Sequence, residues 1–142
     1  MIANPYQQYR TTAVETARPV DLVIMLYKGI LRFTQRGIQA VERQDIETAH
    51  VSFVRAQDIV TELSGRLDPE RGGAITPSLL VLYQYINQRL IDANCQKAIA
   101  PAAEVLRLVS DLLTAWQAIA DGRAEEELAA LTETSGAVVA SQ

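Results

Sequence analysis

Cysteine occurs once in the 142 residues, at Cys95, so no internal disulfide can form. A single thiol suits a reducing compartment. Histidine also occurs once, at His50. Glu47 and His50 form a Glu-x-x-His pair on one helix face, but a di-metal carboxylate bundle needs that pair on two helices. No metal site is therefore expected. Cys95 has only Asn94, Gln96 and Lys97 beside it, and a nucleophilic thiol needs a base and an orienting group. Glycine-rich phosphate loops are missing too: Gly72-Gly73 is not followed by Lys-Ser/Thr and reads as a turn. No enzyme and no cofactor emerge from these residues.

Long apolar runs are also absent. The longest falls short of the roughly 20 residues that span a bilayer, so no membrane insertion is expected. Met1 to Arg18 lacks the basic start and apolar stretch of a signal peptide. Basic charge is not in excess either, with 13 Lys and Arg against 17 Asp and Glu, a net charge of −4. From Asp121 to Gln142 there are five acids and one base, so that segment carries the whole net charge and the rest is neutral. A neutral body offers no footprint for nucleic acid and no cationic amphipathic face for a membrane surface. The partner this leaves is a protein.

What the chain does have is helical periodicity in four segments. The first, Pro19 to Arg43, places Leu22, Leu26, Ile30, Phe33, Gly37 and Ala40 on one stripe. The second opens at Asp45 as a cap and carries Ile46, Ala49, Phe53, Val60, Leu63 and Leu67, with Gly65 and Arg66 fitting its C-terminal turn. The third opens with Thr76 as cap and Pro77 next, then Leu79, Tyr83, Ile86, Leu90 and Ala93. The fourth opens at Pro101, carries Val105, Leu108, Leu112, Trp116 and Ile119, and stops near Gly122. Each segment is about 20 residues, or roughly 30 Å long. Similar lengths and short connections predict an all-α fold, an antiparallel up-down-up-down four-helix bundle over residues 19–121. Residues 1–18 read as an N-terminal arm and 122–142 as an acidic tail expected to fray or be disordered.

One stretch is overloaded. From Pro19 to Leu31 apolar side chains run almost all the way round the helix, broken only by Asp21, Lys28 and Gly29. A helix with one buried face needs only one apolar stripe, so the surplus predicts a second, partner-facing surface. Tyrosine is suited to interfaces because its ring is apolar and its tip polar, which adds Tyr6, Tyr9, Tyr27, Tyr83 and Tyr85 as candidates. Tyr83 and Tyr85 point in different directions on the third helix, so both cannot face the core.

The residues also carry a resemblance. Asn4-Pro5-Tyr6-x-x-Tyr9, Val14-x-Thr16-Ala17-x-Pro19 and Met25-Leu26-Tyr27-x-Gly29 resemble the opening of the FliS family of flagellar secretion chaperones. The likeness continues through Ala56-Gln57-x-Ile59, Leu67-Asp68 and Gly72-Gly73-x-Ile75. It is densest at Leu82-Tyr83-x-Tyr85-x-x-x-Arg89-Leu90-x-x-Ala93-Asn94 and ends near Trp116. The resemblance implies a cytoplasmic bacterial chaperone that binds the disordered C-terminal segment of flagellin, prevents its polymerisation and presents it to the flagellar export gate. It implies no catalysis and no cofactor. On this basis Tyr6, Tyr9 and Val14 are expected to cover the groove from the arm. Leu22, Met25, Leu26, Tyr27, Tyr83 and Tyr85 are expected to line it, and Arg89 and Asn94 to bind the client or tie helix ends. The free protein is expected to be a monomer or weak homodimer. Lys28 stands where the family usually has an acid, and Ala74 where Glu is common. The other reading is a structural or adaptor bundle that binds a partner helix without a role in secretion.

Overall fold

The computed structural model describes residues 18–122 apart from Pro69, Arg71, Gly72 and Ala74. Four helices account for it: α1 (Pro19–Glu42), α2 (Ile46–Gly65), α3 (Ile75–Gln96) and α4 (Ile99–Ala120). Each packs on its neighbours in sequence, and α4 closes the ring against α1. This is the up-down-up-down bundle that the periodicity predicts.

The ends of the helices follow from local chemistry. Arg18 is extended (ψ 152°) and Pro19 takes the first helical position, where its missing N–H removes a donor that would be unpaired anyway. Arg18 also reaches Asp21 at 2.7 Å, an exposed pair that adds little stability. α1 stops where Gln44 turns left-handed, with φ 61°, and the Asp45 N–H donates back to the Ala40 carbonyl at 2.8 Å. Asp45 then caps α2 by accepting from the Thr48 N–H at 3.1 Å, as expected of an Asp in that position. The α3–α4 connection repeats the device: Lys97 has φ 48°, and the Ala98 N–H returns to the Ala93 carbonyl at 3.1 Å. Both are helix-ending turns of the kind glycine usually occupies.

Two starts differ from the sequence expectation. α3 begins at Ile75, so Thr76 lies inside the first turn and its hydroxyl donates to the Asp68 carbonyl at 3.3 Å instead of capping. α4 begins at Ile99, two residues before Pro101. The first turn needs no intrahelical N–H donors, so proline is accommodated there without loss.

All four helices fill the core. Ile30, Phe53, Val60, Leu79, Leu82, Ile86, Leu90, Val105, Val109 and Leu112 are fully buried, each large side chain contributing about 1.5–3 kcal/mol of transfer free energy. At Gly37, α1 leaves no room between itself and α2. A Cβ there would overlap the Phe53 ring, whose Cδ1 lies 2.7 Å from the position it would take.

Polar ties hold the remaining pairs in register. Glu104 of α4 accepts from Arg89 and from the Tyr85 hydroxyl of α3, both at 2.8 Å. Asn94 of α3 lies 3.0 Å from His50 Nδ1 of α2. Arg89 and Asn94 thus link neighbouring helices.

Candidate functional site

α1 divides at Tyr27. Of its residues 27–40, Tyr27, Gly29, Ile30, Thr34, Gly37 and Ala40 are buried. Of residues 20–26, none is buried: Val20, Leu22, Val23, Ile24 and Leu26 are half-buried, and Met25 is exposed at 42 %. Val23 and Leu26 pack against the edge of the core. The buried stripe is rotated from the expected one, running through Tyr27 and Thr34 and leaving Leu22, Leu26 and Phe33 half open. The surplus apolar surface anticipated at the start of α1 is present.

Of the candidate site residues, the structure brings Leu22, Met25 and Leu26 together on this open opening of α1. Tyr27 and Tyr83 it places in the interior instead. Both are core residues, at 1 % and 2 % exposure, and present no surface to a partner in this structure. Their phenol oxygens lie 2.6 Å apart, their rings meet edge to face at 6.3 Å, and the Trp116 indole N–H donates to the Tyr27 oxygen at 2.8 Å. One phenol donates to the other, so one hydroxyl hydrogen has no acceptor among the described residues. Burial pushes the Tyr27 phenol well above the ordinary tyrosine range, and the adjacent Tyr83 adds to this. Burial likewise raises Tyr83 to about 12. The cluster ties α1, α3 and α4 through three side chains distant in sequence.

Tyr85 faces a different way. It is half-buried on the α3–α4 flank, with its hydroxyl held by Glu104, and that bond raises its pKa. Leu80 and Ile91 of α3 are exposed at 39 % and 38 %, and eleven residues apart they share one helix face. Tyr6, Tyr9 and Val14 lie outside the described residues. Sequence reasoning missed Glu104, because nothing local marks a carboxylate fifteen residues from Arg89 as its partner.

No constellation for chemistry is assembled among the described residues. No three His, Cys, Asp or Glu side chains are grouped for a metal. Cys95 is exposed, and His50 is taken up by Asn94. No helix among them is long and apolar enough to cross a membrane.

The model of the family described as "Flagellar protein FliS" matches residues 2–123. The chain belongs to the FliS family. Its similarity to the Bacillus subtilis flagellar secretion chaperone FliS is 37 % identity over 116 residues, 82 % of this chain and 86 % of that protein. The FliS of Campylobacter jejuni is 34 % identical over 114 residues, 80 % of this chain and 89 % of that protein. The FliS of Salmonella typhimurium is 32 % identical over 109 residues, 76 % and 81 % respectively. The FliS match takes in the whole bundle and the open start of α1. It ends at residue 123, just where the acidic tail begins. Among the FliS departures, Lys28 is exposed.

Proposed function

We propose that this chain is a cytoplasmic export chaperone. It binds the disordered C-terminal segment of flagellin, keeps flagellin from polymerising early, and assists its delivery to the flagellar type III export apparatus. The observation that carries this reading is the start of α1, where seven residues, six of them apolar, leave no side chain buried. Family membership supports a flagellar protein as the partner, since the similar proteins are named flagellar secretion chaperones.

The physics is coupled folding and binding. A disordered segment loses conformational entropy when it docks, so it must bury extensive apolar surface to hold. An amphipathic helix laid along the open face of α1, centred on Leu22, Met25 and Leu26, satisfies that requirement. Residues 1–18 act as a displaceable cover for this surface, with Tyr6, Tyr9 and Val14 supplying its apolar contacts. The bundle supplies binding surface and performs no catalysis.

Calorimetric titration with the flagellin C-terminal segment tests the reading. Near-equimolar, submicromolar binding with a negative heat-capacity change and a gain of helix is expected. No heat and no helix gain would remove the chaperone function and favour an adaptor bundle.

A further inference from the structure

Three arginines surround one ring on the outer face of α1 and α2. The guanidinium carbons of Arg32, Arg36 and Arg55 lie 5.2, 5.5 and 5.7 Å from the centroid of Phe33, within cation–π range. Arg18, Arg66, Arg89 and Arg107 each have a carboxylate within 4 Å. Arg32, Arg36 and Arg55 have none among the described residues. The ring and two of the arginines line a groove of about 380 Å³ with Val51 and Glu47, and Val51 is exposed at 43 %. Glu47 makes no ion pair with either arginine. Three like charges on one ring repel one another, and a matching set of carboxylates relieves that repulsion.

The same chain carries such a set. Residues 121–142 hold Asp121, Glu125, Glu126, Glu127 and Glu133 against one base, with Leu128 and Leu131 between them. The starting point of this segment is fixed. α4 packs antiparallel to α1 in the up-down-up-down bundle, so its last residue, Ala120, lies at the end of the bundle where α1 begins. Gly122, the last described residue, therefore tethers the acidic segment at that end. From Arg18, Arg32 and Arg36 stand about 21 and 27 Å up the same helix at 1.5 Å per residue. Extended, the eleven steps from Gly122 to Glu133 span up to about 36–40 Å and the five to Glu127 up to about 18 Å, so Glu133 reaches both levels and Glu127 reaches Arg32 only through the added length of the two side chains.

We propose that the acidic segment 123–142 folds back along α1 of its own chain. It seats the Glu127 and Glu133 carboxylates among Arg32, Arg36 and Arg55 and leucine side chains over Phe33 and Val51. Tethering favours this occupant, because a linked segment is present at millimolar effective concentration and needs only weak ion pairs to dock. The arginine face lies beyond the open start of α1, and the inference does not rest on what that surface binds.

Arginine Nε–H resonances test it. They are recorded for the full chain, for a chain ending at Gly122, and for a full-length Glu125→Gln, Glu126→Gln, Glu127→Gln, Glu133→Gln variant. The shortened chain keeps every core residue, since the core runs from Tyr27 to Ala118. The Arg32, Arg36 and Arg55 signals are expected to shift between the full and shortened chains. The shift should vanish in the glutamine variant and on raising salt to about 1 M, where the Debye length falls to about 3 Å. Unchanged signals at all three arginines would overturn the proposal. So would a shift that grows with protein concentration, because the docked segment would then belong to a second copy.

Discussion

Two parts of α1 carry the same number of apolar side chains, packed twice as densely along the chain in the first, and have opposite fates. From Tyr27 to Ala40 the helix is locked into the bundle, with Gly37 against Phe53 of α2 and Tyr27 against Tyr83 and Trp116. From Val20 to Leu26 it carries as many apolar side chains and buries none of them. The difference does not lie in residue type. It lies in what the other helices offer at each level, and the surface available to a partner is the apolar surface that internal packing has left over.

Breaking the locked half gives the largest effect. Phe53→Ala should cost about 3–5 kcal/mol in denaturant unfolding through the cavity it leaves. Gly37→Ala should cost about 1–3 kcal/mol from overpacking, and combining it with Phe53→Leu should cost less than the sum of the two, because the new methyl takes vacated space.

The tyrosine cluster sharpens the contrast. Tyr27→Phe leaves both the Trp116 N–H and the Tyr83 hydroxyl without their partner, so a loss of about 1–3 kcal/mol is expected. Tyr83→Phe keeps the Trp116 bond and should cost less. The alkaline limb follows from the raised phenols. The folded chain retains protons that unfolded tyrosines release above about pH 10. Stability is therefore complete below pH 10 and falls as pH rises toward the Tyr83 value of about 12. Monitored by tyrosinate absorbance, two of the five tyrosines should ionise only as the bundle unfolds.

In the open half the expectation reverses. Met25→Glu should change stability by no more than about 0.5 kcal/mol, as exposed substitutions usually do. It should nevertheless weaken flagellin-segment binding about tenfold or more, equivalent to about 1.4 kcal/mol. The smallest effect is at the α1–α2 turn. Gln44→Gly should stabilise by a few tenths of a kcal/mol, because relief at φ 61° is partly offset by the greater freedom of glycine in the unfolded chain.

The bundle was legible because helical periodicity and short connections leave few alternatives. Asp45 and Pro19 read directly, since their capping chemistry is local. Thr76 did not, because its hydroxyl is drawn to the Asp68 carbonyl, eight residues away. At the site, the surplus of apolar residues between Pro19 and Leu31 was visible in the sequence, but its orientation was not. Where a helix is apolar all round, its own pattern cannot say which side faces inward. Tyr27 is inside because Tyr83 and Trp116, 56 and 89 residues away, present hydroxyl and indole groups to it. The Arg32–Phe33–Arg36 cluster was readable as like charges four apart on one helix, but Arg55 joins it only through the packing of α2.

The most direct test uses the methionines, of which the chain has two, Met1 and Met25. Methyl-labelled methionine gives one probe in the middle of the open half of α1. Titrated with the flagellin C-terminal segment, the Met25 methyl signal should shift and saturate near one equivalent, while the methyl signals of buried Ile30, observed in a parallel isoleucine-labelled sample, stay in place. A segment that binds and gains helix while Met25 remains unshifted would show that the client docks elsewhere, and that the open start of α1 is not its binding surface.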